Sequence, residues 1–104
     1  MKRCLPLAAA LTVLPLTAHA QKPDPLLGRN LAASCAMCHG TDGRSAGITE
    51  PLAGRPAKEI VATLKLFREG KKPATIMNQI VKGYTDAQVE AIAVYFSEQE
   101  PAGK

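Results

Sequence analysis

The sequence predicts an all-α fold of about four short helices, on three observations. Apolar residues recur at helical spacing in separate segments, as in Ile60, Leu64 and Phe67 and again in Val89, Ile92, Ala93 and Phe96. No run of β-branched residues alternates with the period of two that a half-buried strand needs. Glycine and proline separate the helical segments: Gly40, Gly43, Gly47, Pro51 and Gly54 fall within residues 40–54, which leaves little room there for regular structure.

Residues 1–20 read as an export signal. Lys2 and Arg3 precede a mostly apolar stretch from Leu5 to Leu16, and Ala18-His19-Ala20 has the small-x-small form of a cleavage site before Gln21. The stretch is shorter than the ~20 residues a bilayer span needs, and Pro6 and Pro15 interrupt it, so a soluble exported protein with no membrane insertion is expected. Cys4 lies ahead of the apolar stretch, whereas a lipid-modified cysteine follows it. Removing 20 of the 104 residues leaves 84, residues 21–104, read as one domain.

After Pro23 and Pro25, Leu26 to Ala36 reads as a short helix with Leu27, Leu31 and Ala32 on one side. Gly28 lowers its stability by roughly 1 kcal/mol relative to alanine, for which close approach of another helix is one reason and chance placement the alternative. Pro56 suits the first position of a second helix, which runs to Glu69 and stops at Gly70 and Pro73, with Lys58, Lys65 and Arg68 expected in solvent. Thr75 to Lys82 reads as a third, with Gly83 in the residue position just past its end. The fourth opens on the capping box Thr85-Asp86-Ala87-Gln88 and buries Val89, Ile92, Ala93 and Phe96.

The run Cys35-Ala36-Met37-Cys38-His39 carries the chemistry. In the C-x-x-C-H spacing two thiols on one side of a helical turn can form thioethers to the vinyl groups of a haem, and the adjacent imidazole can ligate its iron. A structural zinc site wants four ligands, and residues 21–104 offer only two cysteines and one histidine. A redox dithiol would sit beside a βαβ pattern, which is missing here.

For the sixth position on the iron, residues 21–104 hold no second histidine and two methionines. Met37 lies between the attaching cysteines and cannot reach the opposite face. Met77 is either an apolar filler beside Ile76 and Ile80 or the second axial ligand, and the C-x-x-C-H run upstream favours ligation because Met/His is an established axial pair. The expected cofactor is therefore one covalently bound haem c, held by Cys35 and Cys38 with His39 and Met77 as axial ligands. A thioether ligand and an apolar setting predict a fairly high reduction potential.

Charge excludes rather than assigns. Thirteen basic and nine acidic residues give +4, which falls to +2 without Lys2 and Arg3, and no basic stripe interleaved with aromatics suggests nucleic-acid binding. Arg68, Lys71, Lys72 and Lys82 lie near Met77 in sequence, either as a solvated face or as a surface that steers acidic partners. With Phe67, Tyr84, Tyr95 and Phe96 as its only aromatics, so small a chain buries a modest core; a covalent apolar macrocycle would act as its staple, and the haem-free chain is expected to fold poorly.

The motif near the start, the methionine well downstream and the amphipathic last helix together resemble a class I cytochrome c over residues 25–97. That resemblance implies a compact α fold whose first and last helices cross, with Gly28 and either Tyr95 or Phe96 at the crossing. Cys38-His39-Gly40-Thr41, Gly43-Arg44-Ser45-Ala46-Gly47, Phe67-Arg68-Glu69-Gly70, Ala74-Thr75-Ile76-Met77, Lys82-Gly83-Tyr84-Thr85 and Ala93-Val94-Tyr95-Phe96 are similar to the cytochrome subunits of flavocytochrome c sulfide dehydrogenases. In that family a periplasmic haem domain takes electrons from a flavoprotein subunit that oxidises sulfide. Relatives often have Gly-Pro where this chain has Gly47-Ile48, and the proline carbonyl commonly orients the proximal histidine. Here the carbonyl of Ile48 and the nearby Pro51 leave the partner of the His39 ring N–H open.

Two functions from different classes follow. The resemblance implies a haem subunit docked to a flavoprotein, and a free carrier moving between a reductase and a terminal oxidase is the alternative. A permanent subunit should present an apolar face and a shuttle a small polar one. In neither does the chain supply a nucleophile or general base, so it is expected to be an electron-transfer protein and no enzyme by itself.

Overall fold

The computed structural model describes residues 26–103 together with Pro15 and Asp24. The expected export signal, apart from Pro15, lies outside the described residues. All regular structure among the described residues is helical: α1 (Leu27–Ala32), α2 (Ala36–His39), α3 (Ala57–Arg68), α4 (Met77–Ile80) and α5 (Asp86–Ser97). A 3-10 turn, Ala33–Cys35, joins α1 to α2 without a break, so Leu27 to His39 is one rod and the count of about four helices holds. Two further 3-10 turns, Thr41–Gly43 and Val81–Gly83, follow α2 and α4.

Each helix begins and ends for a local reason. Asp24 opens α1: its carboxylate accepts from the amide of Leu26 at 2.8 Å and its carbonyl from that of Leu27 at 3.0 Å. Pro56 is extended (ψ 131°) and stands just before α3, one residue earlier than expected, so Ala57 is the first helical position. At the far end of α3 the Gly70 amide donates to Phe67 and the Lys71 amide to Leu66, the paired bonds of a Schellman turn. The capping box forms as expected, with Gln88 donating to the Thr85 hydroxyl at 3.2 Å and Thr85 donating to the Gln88 side chain at 2.9 Å.

The third helix differs from expectation. It begins at Met77 rather than Thr75, and Gly83 does not adopt the left-handed conformation of a helix-terminating glycine, because the chain tightens into a 3-10 turn and leaves it at an extended Tyr84 (φ −120°, ψ 143°). Arg68 is the second correction. Its guanidinium turns inward instead of into solvent, because the carbonyl oxygens of Val81 and Tyr84 at the end of that turn offer it acceptors.

The core lies where α1 and α3 pack on α5. Ala32, Ile60, Ile92, Ala93 and Phe96 form its buried centre, bordered by Leu31, Leu64, Tyr84, Tyr95 and Cys35. Phe96 is 1% exposed, and burying such a ring contributes on the order of 2–3 kcal/mol. Helices α1 and α5 cross at Gly28, where a Cβ would stand 2.4 Å from the carbonyl oxygen of Ala91 and 3.2 Å from the Cβ of Tyr95. Close approach therefore explains Gly28, with Tyr95 and the backbone of Ala91 across from it. Phe96 instead lies under the loop that follows α2, near Gly43.

Candidate functional site

The rod from Leu27 to His39 puts Cys35, Cys38 and His39 within its final turns. Cys35 is half-buried against the core, Cys38 is exposed and His39 is half-buried. No disulfide joins the two cysteines. Burial pushes the Cys35 thiol above its ordinary pKa, the reverse of the lowered value that makes a dithiol nucleophilic. The rod ends at Gly40, whose backbone (φ 81°, ψ 164°) is open in practice only to glycine, and the chain turns away directly after the histidine.

What orients His39 comes from the loop. Its Nδ1 lies 2.6 Å from the carbonyl oxygen of Glu50. A carbonyl can only accept, so Nδ1 carries the proton and the lone pair of Nε2 is left for a metal. The loop is tied on both sides of that carbonyl. Glu50 pairs with Arg55 at 2.7 Å, the Gly43 carbonyl accepts from Leu52 at 2.8 Å and Ala53 at 3.2 Å, and Gly54 donates to the Phe96 carbonyl at 2.9 Å. The partner is thus neither Ile48 nor Pro51.

A second set of bonds fixes the turn after the histidine. Tyr95 on α5 donates from its hydroxyl to Asp42, and Arg44 donates to the other Asp42 oxygen at 3.3 Å and to the Glu100 carbonyl at 2.5 Å. The bond to Asp42, then burial and the nearby carboxylate charge, hold the Tyr95 hydroxyl above its ordinary pKa. Neither the Tyr95–Asp42 nor the Arg44–Glu100 contact carries a sequence signal, since each joins residues more than 50 positions apart.

Met77 stands on a different element. It is the first residue of α4, half-buried, and α4 packs against α3. Met37 is 91% exposed and points away from the core. The apolar side chains of Ile76 and Ile80, which flank Met77 in sequence, and of Ile48, in the loop after His39, are exposed, and the side-chain oxygen of Asn78, next to Met77, is buried without a hydrogen-bond partner. Two thiols at C-x-x-C spacing, an imidazole with Nε2 free, a thioether, uncovered isoleucines and an orphaned polar atom fit a haem. They do not fit a bare metal ion, since no three His, Cys, Asp or Glu side chains among the described residues are grouped to hold one.

Of the four cations near Met77 in sequence, three are engaged: Lys71 pairs with Glu69 at 2.9 Å, Lys72 lies 5.2 Å over the Phe67 ring, and Arg68 binds Asp86. Lys82 is exposed. No helix among the described residues is long and apolar enough to cross a membrane.

An α-helical domain with a C-x-x-C-H rod, a backbone-oriented histidine and a downstream methionine defines a class of haem-bearing electron carriers. Residues 26–99 match the cytochrome c family, and the chain belongs to it, with the class I cytochrome c fold. The chain is 39% identical over 69 residues to the cytochrome subunit of sulfide dehydrogenase from Chlorobaculum tepidum, across 66% of this chain and 63% of that one. It is 33% identical to cytochrome c-554(548) of Halomonas halodenitrificans over 81 residues, 74% of this chain and 98% of the relative. The solved cytochrome c4 of Acidithiobacillus ferrooxidans superposes with a TM-score of 0.59 at 40% identity, covering 66% of this chain and 41% of that one. The chain thus spans under two thirds of the first and last of these. Membership implies electron transfer by a covalently bound haem c.

Proposed function

We propose that this chain is a periplasmic monohaem cytochrome, exported by residues 1–20, that accepts electrons from a flavoprotein sulfide dehydrogenase. The observation that carries the haem assignment is the bond from His39 Nδ1 to Glu50, which leaves the lone pair of Nε2 available to a metal beside two cysteines that no disulfide joins. The sulfide dehydrogenase assignment rests on the likeness to the Chlorobaculum tepidum subunit.

Cys35 and Cys38 would hold the macrocycle by thioether bonds, and His39 and Met77 would ligate its iron. A haem so bound supplies a one-electron centre. The chain's own residues do the rest. Glu50 fixes the tautomer and orientation of His39, the Asp42–Tyr95 and Arg44–Glu100 bonds hold the turn behind it, and the core of α1, α3 and α5 keeps these parts from rearranging as charge changes. No side chain here needs to act as acid, base or nucleophile.

Purified mature protein should exceed the mass of residues 21–104 by one haem and show a Soret peak, and Met77→Ala should abolish the sulfur-to-iron absorption band and lower the potential. Bare-chain mass without colour overturns the assignment. For the partner, anaerobic pull-down from periplasm should recover a flavin-containing protein. A second reading, a free carrier serving a terminal oxidase, is favoured by the match to nearly the whole of cytochrome c-554(548). Salt-sensitive, transient reduction with no flavoprotein retained would select it.

A further inference from the structure

The stretch that enters Met77 is exposed throughout residues 71–76, so the methionine is anchored from its other side. There the bonds form a chain. The Met77 carbonyl accepts from the amide of Val81, a residue only 1% exposed. The Val81 carbonyl in turn accepts from the Tyr84 amide at 3.2 Å, and Arg68 Nη2 reaches the Tyr84 carbonyl at 2.8 Å and the Val81 carbonyl at 3.5 Å. Arg68 Nη1 meets Asp86 at 2.5 Å; the Arg68 side chain is 27% exposed and that of Asp86 73%, so solvent screens the ion pair and the bonds to the carbonyls are the better shielded. The far end of Tyr84 reaches the other half of the site, its hydroxyl lying 2.8 Å from the Ser34 hydroxyl, beside Cys35.

We propose that Arg68 is the positioning residue for Met77: its planar guanidinium locks the Val81–Tyr84 turn and so keeps the thioether in place as a ligand to the iron. This rests on the reading of Met77 as an axial ligand. A fork with several donors suits the task, because one group must serve two carbonyls and a carboxylate at once. A lysine placed there keeps the charge opposite Asp86 but cannot span all three. Opening of the turn would release Met77 from the sixth position, so an external ligand that competes for that position measures how often the turn opens.

The test uses ferric holoprotein titrated with free imidazole, followed by its absorption spectrum. Arg68→Lys should raise the apparent imidazole affinity by about tenfold, since loss of a charge-assisted bond makes the open turn about that much more populated. Arg68→Ala should raise it further; should that variant fail to fold, Arg68→Lys carries the test alone. The deciding comparison is the same substitution in a Met77→Ala background, where no thioether competes and Arg68→Lys should leave imidazole affinity unchanged. Equal effects with and without Met77, or lowered thermal stability with unchanged affinity, would reduce Arg68 to a structural staple and overturn the proposal. If Met77→Ala alone leaves both the sulfur-to-iron band and imidazole affinity as in the parent, the ligand reading itself fails, and the Arg68 proposal with it.

Discussion

His39 Nδ1 and the carbonyl oxygen of Glu50 are 2.6 Å apart, across a loop that starts at the glycine directly after the histidine. The acceptor is main chain, so its position depends on the path of residues 40–56 and hardly on what side chain residue 50 carries. Pro51 restricts that path by fixing its own φ and by confining Glu50 to extended backbone.

Substitution at the two adjoining positions should therefore separate. Glu50→Ala loses only the ion pair with Arg55, a surface contact expected to contribute under about 1 kcal/mol, and should leave the His39 ring proton protected. Pro51→Gly frees the backbone, should lower stability by roughly 0.5–1 kcal/mol, and should speed exchange of the same proton. Hydrogen exchange of the His39 Nδ1–H by NMR of the reduced protein reads both. Faster exchange in Glu50→Ala with none in Pro51→Gly would reverse the argument.

Gly28 offers a sharper steric test. Alanine there gains about 1 kcal/mol in helix propensity, yet its Cβ would lie 2.4 Å from the Ala91 carbonyl oxygen, a backbone atom that cannot swing aside. Helices α1 and α5 must move apart, so the net effect should be a loss of roughly 1–3 kcal/mol. Urea unfolding gives the number, and a stability equal to or above the parent would mean that the two helices are not this close.

These cases mark what could be read in advance. The capping box at Thr85, the buried face of α5 and the C-x-x-C-H rod are set by residues within a few positions of one another, and sequence spacing carries such relations directly. The crossing at Gly28 was half legible. A glycine in a helix flags close approach, but a backbone partner such as Ala91 has no residue signature. Nothing local announced that Glu50 would orient His39, or that Arg68 would turn inward to carbonyls contributed by another element. Residue type argues for solvent at position 68, and the carbonyl acceptors at the end of the Val81–Gly83 turn outweigh it. Gly83 misled for the related reason that its turn is closed by these contacts without a left-handed residue.

Thr85 sets a scale for the smaller effects. Its hydroxyl accepts from Gln88 at 3.2 Å, satisfying one of the amides at the start of α5 that have no helical partner. Thr85→Ala should cost about 1 kcal/mol and Thr85→Ser nearly nothing, since serine keeps the acceptor. Thermal denaturation of the two variants beside the parent decides it; equal losses would point to the methyl group rather than the cap.

Tyr95 should give the fold a signature in alkali. Its hydroxyl donates to Asp42, and that bond, with burial and the Asp42 charge, raises its pKa in the folded protein above the ordinary value near 10. The native state then keeps a proton that the unfolded chain releases, and stability falls with rising pH wherever the native state binds more protons. This contribution is fully present below about pH 10 and is lost as pH climbs from there through the raised native value. Tyr95→Phe removes the proton altogether. It should be less stable than the parent by about 1 kcal/mol near neutrality, under the roughly 1.5–3 kcal/mol of a bond to a charged group, because Asp42 keeps Arg44 and some solvent. The gap should then narrow above about pH 10, as the parent loses what the variant never had. Urea midpoints of both proteins from neutral to strongly alkaline pH measure it, and lysine titration cancels between them. A gap that stays constant across that range would show that Tyr95 contributes packing alone.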